Sequence, residues 1–127
     1  MKDHSKLTLY DRMGGEEAIR KLVEAFYPKV QADPLLSPLF PADITPVMEK
    51  QYLFLTQFFG GPALYSEKYG HPMMRGRHLP FPIDKARADA WLASMRAALE
   101  ESGIEESLCV FLIDRLTGTA YHFINTD

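Results

Sequence analysis

The stretch "GGEEAIRKLVEAFYPKVQ", residues 14–31, predicts a long amphipathic α-helix. Apolar side chains recur in it every three or four positions and so share one face of a helix; they are Ile19, Leu22, Val23, Phe26 and Val30. Gly14 and Gly15 mark its start, and Glu16 and Glu17 suit the electropositive first turn of a helix. This pattern favours a helical fold, and the rest of the chain repeats it.

Three further long helices are predicted on the same grounds. One has Thr45 as its N-cap and Pro46 as its first helical residue, the next is capped by Asp84, and the last runs from about Glu105 to Phe123. The inward face of the first is predicted to consist of Val47, Gln51, Phe54, Leu55 and Phe58. That of the second is predicted to consist of Ala88, Trp91, Leu92, Met95 and Leu99. That of the last is predicted to consist of Leu108, Phe111, Leu112, Leu116 and Phe123.

The connections between these helices are rich in proline and glycine. "ADPLLSPLFPADITP", residues 32–46, carries four prolines and is predicted to be a turn-rich connector. No window shows the sustained alternation of apolar and polar residues that a half-buried strand requires. The prediction is therefore one all-α domain, residues 1–127, with four main helices.

Composition excludes several classes of protein. With 46% hydrophobic and 24% charged residues the chain is ordinary for a globular domain, and a net charge of −3 argues against a nucleic acid or an anionic membrane as partner. The start, "MKDHSKLTLY", lacks the apolar region of a signal peptide, and apolar runs such as "YLFLTQFF" are too short to span a bilayer. The only cysteine, Cys109, excludes an internal disulfide and fits a reducing cytoplasm. It is expected to be a small buried hydrophobe.

Three polar side chains stand at or beside the inward faces of predicted helices. They are Tyr27, Gln51 and Trp91, and each carries a group that needs a hydrogen-bond partner if it is buried. Any one of them alone is best explained as a core residue that is satisfied by its neighbours.

A histidine in an unusual setting points to a cofactor. In "GHPMMRGRHLPFPID", residues 70–84, His78 ends a short basic segment just before Pro80. A single imidazole can be the only protein ligand of a haem iron, because the porphyrin supplies the other four nitrogens. Such a ligand needs apolar neighbours and cations for the two propionates, and "MMRGRHLPFPI" offers both.

The other histidines do not form a metal-binding pattern. His4, His71 and His122 show no HExxH or similarly close pairing, and the chain has no CxxC, so a zinc site is not expected. No CxxCH motif is present either, so any haem would be held non-covalently.

These residues together resemble a known family. From "LYDRMGG" to "AYHFIN" the chain is similar to the truncated haemoglobins of group II, often called the O type. The glycine pairs at 14–15 and 60–61 look like the family's interhelical glycine motifs, and "AFYPKV", "DPLLSPLFP", "FLTQFFGGPALYSEKYGHPMMRGRHLPFPI" and "RADAWL" resemble group II signatures. The resemblance implies a two-on-two α-helical sandwich around one haem b.

The resemblance also implies roles for individual residues. It makes His78 the proximal iron ligand, and it places Tyr27, Gln51 and Trp91 in a polar distal pocket. The further residues that it implies as haem contacts are Phe40, Val47, Lys50, Phe54, Tyr65, Arg77 and Phe81.

The resemblance implies more specific roles for four of these residues. Lys50, Tyr65 and Arg77 are expected to meet the haem propionates. Val47 occupies the distal gate position, where this group often has alanine or threonine, and a valine has no polar atom to offer a ligand. Ligand stabilisation would then depend on the three polar residues of the distal pocket.

The function implied is reversible binding of dioxygen and other small diatomic ligands at a five-coordinate haem iron. Several hydrogen-bond donors would slow oxygen release, which disfavours oxygen delivery and leaves open a nitric oxide dioxygenase or peroxidase-like activity. Any turnover would need an external reductase. The alternatives are a haem-based gas or redox sensor and a haem-free α-helical interaction module. The chain is expected to be a monomer or weak homodimer in the cytoplasm, with no nucleic-acid or membrane partner.

Overall fold

The computed structural model describes residues 8–70 and 83–122, and within these ranges the chain forms helices and no strand. The helices are α1 (Leu9–Met13), α2 (Glu16–Ala32), a 3₁₀ helix (Ser37–Leu39), α3 (Thr45–Phe58), α4 (Leu64–Tyr69), α5 (Lys85–Glu101) and α6 (Glu106–His122). The prediction of an all-α fold with four main helices is confirmed. In the described part of the chain, none of the helices has the length and apolarity needed to cross a bilayer.

The core forms where α2 packs against α3 and α5, and α5 in turn against α6. The predicted stripe of α2 is fully or almost fully buried, from Ile19 to Val30. It meets buried residues of α5 and α6: Ala88, Leu92, Met95, Ala98, Leu99, Cys109, Leu112, Leu116 and Ala120. Cys109 is the small buried hydrophobe that was predicted, and its thiol donates to the carbonyl of Ile104 at 3.3 Å.

The two glycine pairs attach α1 to the rest of the molecule. Gly14 and Gly15 take positive φ values of 116° and 74°, which L side chains rarely adopt, and they reverse the chain between α1 and α2. A Cβ on Gly61 would lie 2.8 Å from the ring of Tyr10, so the second pair leaves room for α1 to approach the end of α3. There the backbone N–H of Tyr10 donates to the carbonyl of Phe59 at 2.8 Å.

Asp84 caps α5 as predicted. Its Oδ1 accepts from the backbone N–H of Arg87 at 2.9 Å, which satisfies a donor that the first turn would otherwise leave free. The cap of α3 differs from the prediction, since Ile44 is its N-cap and Thr45 is already helical. The backbone N–H of Thr45 donates instead to Asp43 Oδ1 at 3.1 Å.

The prediction that Phe111 points inward is wrong. Phe111 is 50% exposed, whereas the next residue, Leu112, is fully buried. Neighbouring positions on a helix differ by about 100° in direction, and on α6 it is Leu112 that faces the core while Phe111 faces outward. Cys109 and Ala120 complete the inward stripe of α6 with Leu112 and Leu116, and Phe123 lies outside the described residues.

Candidate functional site

A cleft opens between α3, α5 and α6, with the 3₁₀ segment along its fourth side. Its empty volume is about 720 Å³, part of which is open to solvent. Its walls are mainly apolar, with Leu36, Leu39, Phe40, Phe54, Leu55, Ile83, Ala88, Leu116 and Ala120. Mainly apolar walls with a few polar groups among them are typical of sites that bind organic ligands or cofactors.

Four other wall residues carry polar groups: Gln51, Arg87, Trp91 and Thr119. Helical spacing explains why they meet there. On α5, Arg87 and Trp91 are four positions apart and lie on the same face, one turn above the other. On α3 the same spacing puts Gln51 beside Leu55, and on α6 Thr119 follows Leu116 by three positions. Each of the three helices therefore contributes residues from about one or two neighbouring turns to the wall of the cleft.

An aromatic chain connects two walls of the cleft through the core. The rings of Trp91 and Phe26 pack edge to face with centroids 5.3 Å apart, and Phe26 contacts Tyr27 in the same way at 5.0 Å. Tyr27 then meets Phe40 edge to face at 6.0 Å. Because Phe26 and Tyr27 are buried on α2, the positions of Trp91 and Phe40 in the walls are supported from within the core.

Tyr27 does not itself line the cleft but lies directly behind Phe40. Its side chain is 2% exposed, and burial raises the pKa of its hydroxyl well above the ordinary value. The hydroxyl therefore stays protonated at physiological pH and is an uncharged donor. Among the described residues it has no hydrogen-bond partner.

The amide of Gln51 and the indole of Trp91 also make no hydrogen bond within the described part of the chain. Gln57, on the same helix as Gln51, shows the contrast. Its Nε2 donates to Ser66 Oγ at 2.8 Å, and its Oε1 accepts from the backbone N–H of Ser66 at 2.9 Å. Gln57 thus joins α3 to α4, whereas Gln51 and Trp91 line the cleft.

Three of the residues that the sequence proposed for the cofactor lie outside the described wall. Val47 is half-buried and packs against the core, and the exposed Lys50 holds its Nζ 5.5 Å from the centroid of the Tyr69 ring. Tyr65 is 2% exposed and supports Phe54 from behind, with ring centroids 5.8 Å apart.

The remaining predicted site residues, Arg77, His78 and Phe81, lie outside the described residues. The first residue described after them, Ile83, is part of the cleft wall. In the ranges 8–70 and 83–122 no group of three or more His, Cys, Asp or Glu side chains could hold a metal ion.

Sequence reasoning missed several wall residues. Arg87 and Thr119 could have been found from helical spacing, since Arg87 precedes Trp91 by four positions and Thr119 follows Leu116 by three. Leu36 and Leu39 gave no such signal, because they belong to a proline-rich connector without helical periodicity.

Comparison with known families gives a match along almost the whole chain. A model of the bacterial-like globin family matches residues 8–125. A group 2 truncated haemoglobin of Bacillus subtilis (strain 168) is 52% identical over 111 residues, which cover 87% of this chain and 84% of that protein.

Solved structures agree with the sequence matches. The group II truncated haemoglobin of Bacillus anthracis superposes with a TM-score of 0.92 at 48% identity, over 94% of this chain and 98% of that one. The truncated oxygen-avid haemoglobin of Bacillus subtilis superposes with a TM-score of 0.89 at 50% identity, over 94% of this chain and all (100%) of that one.

Proposed function

This chain belongs to the bacterial-like globin family, within the group II truncated haemoglobins, and we propose that it binds haem b in the cleft and dioxygen on the haem iron. The predicted two-on-two helical fold is that of its structural neighbours. The observation that carries the proposal is the cleft between α3, α5 and α6, whose walls are mainly apolar and include the hydrogen-bond donors of Gln51 and Trp91.

The walls fit a haem. A porphyrin is a flat apolar ring, and Phe40 and Phe54 offer aromatic surfaces on two different elements to pack against it. Phe54 is in turn supported by Tyr65, and Phe40 by Tyr27. These supporting contacts would keep the two phenylalanines in place when the ring enters.

We propose His78 as the iron ligand. His78 precedes Ile83 by five residues, and Ile83 lines the cleft. A connection of that length spans at most about 17 Å, so an imidazole at position 78 is within reach of the cavity. Arg77 and Phe81 flank it, and with Val47 and Lys50 they remain proposed haem contacts.

When bound, the haem iron would supply a coordination position for a diatomic ligand such as dioxygen. The chain's own contribution is a set of uncharged donors: the Tyr27 hydroxyl, the Gln51 amide and the Trp91 indole N–H. A hydrogen bond to a partly charged acceptor contributes about 1.5–3 kcal/mol. Two such bonds acting together would slow ligand release by two orders of magnitude or more.

Slow release fits ligand retention better than delivery. The related Bacillus subtilis protein is described as oxygen-avid, which agrees with this proposal. Nitric oxide dioxygenase or peroxidase-like turnover would draw electrons from an external reductase. That activity, the cytoplasmic location and a monomeric or weakly dimeric state remain predictions from the sequence.

The test is the absorption spectrum during titration of the apoprotein with haemin. We expect saturable uptake at one haem per chain in the wild type and in His71→Ala, a control in the same segment as His78. His78→Ala should lose stable uptake, because it removes the proposed iron ligand. A wild-type protein that takes up no haemin would contradict the proposed function.

A further inference from the structure

Arg87 is the charged residue in the described wall of the cleft; every other wall residue is apolar or neutral. Its side chain is 29% exposed, and its Nε atom is buried. A buried charge costs free energy unless it is paired and its N–H groups are hydrogen-bonded. The partners of Arg87 are therefore informative.

Asp84 satisfies only one part of the guanidinium. Arg87 Nη1 lies 3.1 Å from Asp84 Oδ2, and Asp84 Oδ1 accepts from the backbone N–H of Arg87 at 2.9 Å. Arg87 Nε is buried and has no hydrogen-bond partner among residues 8–70 and 83–122. Buried polar atoms without a partner are rare in folded proteins, and each one calls for an explanation.

The geometry of the guanidinium indicates what the missing partner would be. Its five N–H groups are fixed in one plane, and Nε–H points to the same side as one N–H of Nη2. That edge matches the two oxygens of a carboxylate, and the pair is a bidentate ion pair. Asp84 holds the guanidinium through Nη1 and leaves this edge free.

No other cation in the described wall competes for this role. Lys50, which the sequence proposed for the propionates, is exposed beside the Tyr69 ring and does not line the cleft. The nearest acidic group to Arg87 is already used as the N-cap of α5. A carboxylate brought in by the ligand would complete the arrangement.

We infer that Arg87 binds a propionate of the haem, with Nε and Nη2 donating to its two oxygens and Asp84 orienting the guanidinium. This inference rests on the proposed haem binding and adds a carboxylate site on α5 to it. It also explains why a buried guanidinium nitrogen lies beside an apolar cleft.

The test compares haemin with haemin dimethyl ester, in which both carboxylates are masked. The dissociation rate of each from the protein is measured by transfer to an excess of a haem-acceptor protein. We expect Arg87→Gln to release haemin roughly tenfold faster than the wild type, since a charged hydrogen bond is lost. Arg87→Gln should release the dimethyl ester at nearly the rate at which the wild type releases the ester, because the ester has no carboxylate for Arg87 to bind. Arg87→Lys keeps the charge without the fork and should give an intermediate rate for haemin.

Arg20→Gln is the matched control. Arg20 also pairs with a carboxylate on its own helix, Glu16 at 3.3 Å, but it is exposed and does not line the cleft. Its replacement should leave both release rates unchanged. If Arg87→Gln accelerates haemin and its ester equally, Arg87 only supports the fold and the inference is overturned, while haem binding stands. If the wild type takes up neither porphyrin, the proposed function itself fails.

Discussion

The side chain of Tyr27 has its ring in the core and its hydroxyl without a partner among the described residues. Because burial disfavours the phenolate and raises the pKa, the group remains a neutral donor. A neutral donor can bind a partly negative ligand without repelling it. A phenol is neutral near pH 7 even at its ordinary pKa, and at the scale of the residue burial reinforces that state in Tyr27.

Trp91 provides a sharper test of the donor set. Phe at this position keeps an aromatic ring against Phe26, whose centroid is 5.3 Å from that of Trp91, but removes the indole N–H. We expect Trp91→Phe to retain haem and to release dioxygen about 10- to 100-fold faster, measured by stopped-flow absorption.

Tyr52→Phe is the control for that experiment, because it removes a hydroxyl that is not in the cleft. The ring of Tyr52 packs under the guanidinium of Arg20, a residue of α2, and does not line the cleft. Its oxygen release should match the wild type. An unchanged rate of dioxygen release in Trp91→Phe would show that the indole N–H does not donate to the bound ligand.

At the scale of the element, close backbone approach determines where α1 lies. A Cβ at Gly61 would come within 2.8 Å of the Tyr10 ring and 2.9 Å of the Thr56 carbonyl oxygen. Contacts this short force α1 or the end of α3 to shift. We expect Gly61→Ala to lower the free energy of unfolding by about 1–3 kcal/mol, measured by urea denaturation.

Gly118 offers a matched comparison within α6. It is exposed, and a Cβ built there meets nothing within 4 Å. Gly118→Ala should raise the free energy of unfolding by about 0.5–1 kcal/mol, because alanine loses less backbone entropy in a helix. If Gly61→Ala and Gly118→Ala had the same free energy of unfolding, α1 could shift away from the added methyl group without a loss of stability.

At the scale of the whole molecule, we expect haem binding to stabilise the folded state. The core of α2, α5 and α6 is closed, whereas the cleft beside it remains partly open to solvent. A ligand that binds only the folded state stabilises it by about 4 kcal/mol when present at 1,000 times its dissociation constant. For a chain of 127 residues this corresponds to a rise in Tm of roughly 10 °C or more.

Calorimetry of the apoprotein and the haemin-loaded protein would measure that rise. His78→Ala should keep the Tm of the apoprotein and lose the increment on adding haemin. If haemin leaves the Tm of the wild type unchanged, haemin does not bind in the cleft of the folded protein.

The sequence by itself determined the helices and most of the core. The periodicity of α2 and α5 predicted their buried faces, because apolar residues on one side of a helix must be covered. The family was indicated by the resemblance of the sequence motifs, and not by the periodicity. The periodicity also drew attention to Gln51 and Trp91, both of which line the cleft.

Only the tertiary structure decided how those faces meet. Periodicity gives a direction around one helix axis but not the rotation and crossing of one helix against another, which depend on the packing of their side chains. For this reason Phe111, beside the buried Leu112, proved to be exposed, and Lys50 lies away from the cleft wall. For the same reason the sequence did not show that Arg87 lines a cleft between α3, α5 and α6 with its Nε buried and without a partner among the described residues.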